Sequence, residues 1–117
     1  MTRQAWTDEL NAYLLRNRTV APTVPYRYVP LSPPVVCNDG FSMSVQASWS
    51  AYCEPRSDIG PWTAVEVGMP SSIEPLLWDY AEASGFWTNT VYPYTPIEVV
   101  GAVIELHGGA DMLRHKE

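Results

Sequence analysis

Few residues in this chain are equipped for chemistry, and most of them lie in one loop. Cys53 precedes Arg56 by three positions in Tyr52-Cys53-Glu54-Pro55-Arg56-Ser57-Asp58, Cys37 precedes the turn Asn38-Asp39-Gly40, and His107 precedes Gly108-Gly109. A guanidinium beside a thiol lowers its pKa, so Cys53, with His107 as base and Asp58 as orienting carboxylate, is the nucleophile the sequence offers. Against it, His107 falls at a helix end on an apolar stripe, where a capping or partly buried histidine is the ordinary explanation, and no spacing brings it to Cys53. Cys37, Cys53, His107 and His115 lack the paired spacing of a zinc site. Gly108-Gly109 follows a helix rather than opening one, which marks a helix stop and not a phosphate cradle. No metal and no cofactor is expected. The loop from Trp49 to Pro61 then reads as an irregular segment in which Glu54 and Asp58 pair with Arg56. Its candidate interaction or ligand residues are Trp49, Tyr52, Cys53, Glu54, Arg56 and Asp58.

Charge narrows the class of partner. Residues 35 to 109 hold nine acids against the single base Arg56, whereas the first 34 residues carry four arginines against Asp8 and Glu9. An acidic body repels nucleic acid by the same Coulomb forces that draw it to a basic groove on another protein. Direct DNA or RNA binding is not expected, and Glu66, Glu74, Asp79 and Glu82 form the candidate acidic face. No hydrophobic run approaches the ~20 residues a membrane span requires, and Met1-Thr2-Arg3-Gln4-Ala5-Trp6 lacks a signal-peptide core. A soluble cytoplasmic protein with reduced cysteines is the expectation.

The elements that would position these residues follow from periodicity. With 117 residues, of which 46% are hydrophobic, including five Trp and seven Tyr, the chain suffices for one core. Trp6, Leu10, Tyr13, Leu14 and Asn17 lie on one stripe and predict a helix over about residues 4 to 16, docked by default on its own domain, the alternative across the Pro-rich tether being a neighbouring subunit or partner. Pro22, Pro25, Pro30, Pro33 and Pro34 predict a stiff extended strap, with Tyr26, Tyr28, Val29 and Leu31 adhering to a surface. Val35 to Cys37, the Asn-Asp-Gly turn and the alternating run Phe41 to Ala47 predict a hairpin whose Ser42 and Ser44 face solvent. Pro61 to Gly68 reads as a third strand. Ser71 and Glu74 have capping-box spacing and open a short helix through about Ala83, with Ile73, Leu76, Leu77, Tyr80 and Ala81 on its apolar face. Asn89 to Tyr92 is a short fourth strand. Thr95 as cap, Pro96 at the first position and Glu98 closing the box begin a helix that ends at Gly108-Gly109. Residues 110 to 117 read as a frayed tail.

The result is an α+β fold: a small antiparallel sheet, hairpin plus about two further strands, packed by the C-terminal helix. The organisation expected is 1–34 (helix and strap), 35–109 (the α+β domain) and 110–117 (flexible tail).

The patches Asp39-Gly40-Phe41-x-Met43-Ser44-Val45-Gln46, Tyr52-Cys53-x-x-Arg56, Val65-Glu66-Val67-Gly68-x-Pro70, Thr90-Val91-Tyr92-x-Tyr94-x-Pro96 and His107-Gly108-Gly109 together resemble a group of small uncharacterised accessory proteins encoded by bacteriophages and prophages. The resemblance spans about residues 38 to 109. It implies a protein acting in the cytoplasm of a bacterial host, where a small acidic product binds and inhibits a host factor, including antiviral defence components such as a CRISPR effector. Two other classes stand beside this non-catalytic inhibitor: a nucleotide-sequestering module using Arg56, Trp49 and Tyr52, and a Cys53-dependent enzyme. Five tryptophans also suit an interface with a partner or within a homodimer.

Overall fold

The structure is a computed structural model that describes residues 1–16, 18–23 and 27–114; for 19–23 and 27–29 only the backbone is described. Helix α1 (Arg3–Arg16) is followed by β1 (Thr19–Thr23), β2 (Arg27–Leu31), β3 (Val35–Val36), β4 (Ser42–Gln46) and β5 (Ala64–Gly68). A 3-10 helix at Pro75–Tyr80, β6 (Val91–Pro96), α2 (Ile97–Leu106) and a 3-10 turn at Asp111–Leu113 complete the chain. Strands β3-β4-β5-β6 form one antiparallel sheet in sequence order, and β1-β2 form a separate two-stranded ribbon. The α+β architecture expected from the sequence is the one observed.

Alternation builds the sheet. Met43 and Val45 on β4 and Val65 and Val67 on β5 are buried, while Ser42, Ser44, Gln46, Ala64, Glu66 and Gly68 are half-buried on the opposite face. The inner face meets both helices. Trp6, Leu10, Tyr13 and Leu14 of α1 and Ile97, Val100, Val103 and Ile104 of α2 are buried with it in one core. The helices cross at Gly101, where a Cβ would stand 2.1 Å from Thr7 Oγ1 and 2.8 Å from the Arg3 carbonyl oxygen. Burying this face of α1 removes large apolar side chains from water, each worth ~1.5–3 kcal/mol. The N-terminal helix is thus part of the same core as the sheet. The side chain of Asn11 reinforces it, accepting from the Trp62 N–H at 2.8 Å and donating to the Trp62 carbonyl at 3.2 Å.

Several local expectations need correction. The proline strap is a folded element: β1 and β2 pair antiparallel, with Val20 opposite Pro30 and Pro22 opposite Tyr28. Pairs two residues apart belong to the same class in an antiparallel ladder, so both prolines fit when that class is the one whose N–H groups point away from the partner strand. Pro25, Tyr26 and Asn17 lie outside the described residues. The strap's end is bound to the sheet by Gln46, whose amide accepts from the Ser32 N–H and donates to the Ser32 carbonyl, both at 2.8 Å. Ser42 is likewise engaged, its backbone exchanging hydrogen bonds with Ser71. The polar face of the hairpin is therefore partly covered, not simply solvated.

The helix expected through Ala83 is a six-residue 3-10 turn, and its cap is Glu74 itself, whose carboxylate accepts from the Leu76 N–H. Of its supposed core residues only Leu77 is fully buried; Ile73 and Leu76 are exposed. Strand β6 runs on to Pro96, so Thr95 is a strand residue donating to the Tyr92 carbonyl at 2.9 Å, and α2 begins without a side-chain cap. Nor is the tail frayed before residue 115: Ala110 and Leu113 are fully buried, and Arg16 Nη2 donates to the Leu113 carbonyl at 2.6 Å. His115 to Glu117 lie outside the described residues.

Candidate functional site

The loop 49–61 comes together, although not by ion pairing. Asp58 accepts from the Trp49 N–H at 2.9 Å, and its own carbonyl receives Arg18 Nη2. Arg56 Nε donates to the Trp49 carbonyl at 3.1 Å, and its guanidinium lies 5.4 Å from the Tyr52 ring centroid. Among the described residues Arg56 has no carboxylate partner, which corrects the expected Glu54–Arg56–Asp58 cluster. Backbone carbonyls and N–H groups satisfy this loop, because they are fixed in position while exposed ion pairs must order two long side chains for ~0–1 kcal/mol.

Both cysteines are free and buried. Burial pushes the Cys53 thiol up, with the Arg56 charge a lesser, opposing influence, and Cys53 Sγ donates to the Ser48 carbonyl at 3.2 Å. Cys37 is pushed up to about 11 by burial and by the charge of Asp39. Neither thiol is placed as an activated nucleophile.

His107 is elsewhere. It is the C-terminal cap of α2, and its ring lies between two carboxylates: Nδ1 is 2.6 Å from Asp39 Oδ2 and Nε2 is 2.7 Å from Glu74 Oε1. Phe41 stacks on the ring, centroids 4.2 Å apart and planes at 16°. The Asn38-Asp39-Gly40 turn positions Asp39, whose second role is to accept from the Phe41 N–H at 2.9 Å. Pro75 and the 3-10 turn position Glu74, whose side chain is only 4% exposed and also accepts from the Leu76 N–H. Burial of the ring opposes its charge, but the bonds to Glu74 and Asp39 and the charge of both outweigh it, and the imidazole pKa lies above its ordinary 6.5. Only the imidazolium can donate to both carboxylates. With both nitrogens engaged, His107 is a staple joining the β3–β4 turn, the 3-10 segment and the end of α2. No local pattern signals it, since the partners stand 68 and 33 residues away.

The expected acidic face divides accordingly. Glu74 is buried under His107 and contributes no exposed charge, Glu66 is half-buried on the outer face of the sheet, and Asp79 and Glu82 are exposed. Around those two, the segment from Ile73 to Trp87 buries Leu77 but turns several other large side chains outward. Trp78 is 44% exposed and Phe86 64%, Ile73 and Leu76 are also exposed, and Trp78 stacks on Trp87 with centroids 5.1 Å apart. Its frame is fixed by bonds to β6: the Glu82 N–H donates to the Val91 carbonyl at 2.9 Å, the Ala83 N–H to Thr90 Oγ1 at 3.1 Å, and the Tyr92 hydroxyl to the Trp87 carbonyl. Trp6 and Trp62, by contrast, are core.

A second aromatic pair stands at the other end of β6. Between Val65 and Val67 the register slips, so that Val65 faces Thr95 and Val67 faces Tyr92, leaving Pro93 and Tyr94 as a bulge opposite Glu66. Tyr94, at φ 51°, points outward and its ring comes 5.9 Å from that of Tyr52. Among the described residues no group of three His, Cys, Asp or Glu side chains is arranged to hold a metal ion, and no helix is long and apolar enough to cross a membrane.

Comparison with protein-family models, curated proteins and solved structures yields no match.

Proposed function

We propose that this protein is a non-catalytic binding module that occupies a basic surface of a partner protein, using the segment 73–87 as its contact face. One observation carries the reading: Trp78, stacked on the half-buried Trp87, is exposed together with Phe86, Leu76 and Ile73, in a segment that also exposes the carboxylates Asp79 and Glu82 and has no base. Exposed aromatics held on a rigid frame lose little entropy on association and favour interface cores. The surrounding acids select a partner rich in Arg and Lys and accelerate the encounter. The phage resemblance narrows the proposal further, to inhibition of a bacterial host factor whose own basic groove serves nucleic acid, such as a CRISPR effector.

Affinity capture from host lysate tests it, with the wild-type chain and the Trp78→Ser/Phe86→Ser variant as paired baits. The expected result is a basic protein retained by the wild type, lost from the variant and released by raised salt. An identical set of proteins on both baits would contradict the proposal. A nucleotide-sequestering reading retains one specific observation, the Arg56 guanidinium over Tyr52, and a thermal shift with a nucleotide panel checks it, no shift removing it.

A further inference from the structure

Beside the contact face, the outer surface of the sheet carries a groove of about 320 Å³ lined by Ser44, Glu66, Gly68, Met69, Asn89, Thr90 and Val91. We propose that this groove binds the guanidinium side chain of an arginine supplied by the partner, an inference that rests on the reading of the protein as a binder of basic surfaces. Its volume, near the ~300 Å³ lower limit of small-ligand pockets, suits one long side chain better than an extended ligand.

The chemistry of the lining selects the occupant. Gly68 and Ser44 leave a low floor, and Met69 and Val91 supply apolar walls for an aliphatic stem. Every polar side chain in the lining can accept a hydrogen bond and none is cationic. Glu66 Oε1 accepts from the Tyr52 N–H at 3.0 Å, which fixes the carboxylate, while Oε2 has no partner among the described residues. Ser44 Oγ already accepts from Gln46 Nε2, and Thr90 Oγ1 from the Ala83 N–H. Their capacity is partly used, and Glu66 with Asn89 remains the principal acceptor pair. Arg56, the one base of the body, is turned to the Trp49 carbonyl and the Tyr52 ring and does not neutralise Glu66. A planar donor-rich cation matches such a site better than a neutral or anionic group.

The groove also continues the contact face. Asn89, Thr90 and Val91 follow directly on Trp87, so a basic partner seated on Trp78 and Phe86 would bring its side chains to the mouth of the groove.

Amide NMR titration with N-acetyl-arginine methyl amide tests the assignment, with the lysine and citrulline counterparts as controls. Expected are shifts confined to Gly68, Met69, Asn89, Thr90 and Val91, absent with neutral citrulline, weaker with lysine, and at least about tenfold less sensitive in Glu66→Gln, which keeps the Oε1 acceptor for Tyr52. Equal responses to arginine and citrulline, equal responses to arginine and lysine, persistence in Glu66→Gln, or no localised shift would each overturn it. No partner is needed, so the two proposals fail separately. A silent groove with Trp78-dependent capture intact overturns the groove alone, and a localised arginine response without capture overturns only the partner reading.

Discussion

Removing the imidazole between Asp39 and Glu74 tests the joint that ties three elements of this fold together. In His107→Ala the Glu74 carboxylate, 4% exposed, keeps the Leu76 N–H but loses its charged donor, which costs ~2–3 kcal/mol for a buried charged acceptor left under-satisfied. Phe41 loses a ring stacked at 4.2 Å, adding ~0.5–1.5 kcal/mol. The sum, about 2.5–4.5 kcal/mol, is a large fraction of the ~5–15 kcal/mol that holds a domain of this size together. At roughly 4 °C per kcal/mol, Tm should fall by about 10–18 °C. Urea and thermal unfolding followed by circular dichroism measure it. A double-mutant cycle with Glu74→Leu should recover ~2 kcal/mol of coupling, because the paired variant buries no lone charge. A loss under ~1 kcal/mol in His107→Ala, or an additive cycle, would refute the staple.

Other perturbations test the remaining joints. The His107 pKa is raised on folding, so its stabilisation is complete below the unfolded value of about 6.5 and is lost as pH rises through the higher folded value; Tm of the wild type, but not of His107→Ala, should decline across that range. Asp39 is lowered, first by the Phe41 N–H and then by His107, so its contribution is present above its ordinary 3.8 and disappears as pH falls through its lower folded value, visible as acid destabilisation that Asp39→Asn lacks. Gly101→Ala forces a Cβ to 2.8 Å from the Arg3 carbonyl and should cost ~1–3 kcal/mol in urea unfolding, a neutral result placing the helices further apart than described. Thiol labelling of the native protein should leave Cys37 and Cys53 unmodified until denaturant is added, since both are buried; prompt labelling of Cys53 would revive it as a reactive group.

Much of the frame was legible because it rests on local patterns. The 3.6-residue stripe of α1, the alternation of β4 and the Asn38-Asp39-Gly40 turn each encode their own element, and Gly40 adopts the positive φ its position implies. Where the reading failed, a tertiary contact had overridden a local signal. Ser71 and Thr95 have cap spacing, yet Ser71 bonds β4 and Thr95 belongs to a strand prolonged by pairing with β5. Prolines that suggested an extended strap are tolerated in a ladder once they occupy outward-facing positions.

The candidate site was less legible still. Asp79 and Glu82 are exposed as their charge suggests, but Glu74 is buried against His107, in a triad with the exposed Asp39 that only the topology assembles. Ile73 and Leu76 have core-like identity and spacing and face outward instead. Ile73 precedes, and Leu76 lies in, a 3-10 turn whose side chains do not follow the α-helical period. Arg56, read as half of an ion cluster, turns to a carbonyl and a ring.

Hydrogen exchange on the complex expected from affinity capture, comparing free and bound protein, tests the proposed contact face. The account predicts added protection concentrated in residues 75–91, including the Trp78, Phe86 and Asn89 amides, with α1 unchanged; protection confined to α1 or to the Tyr52 loop, with 75–91 exchanging as in the free protein, would contradict it.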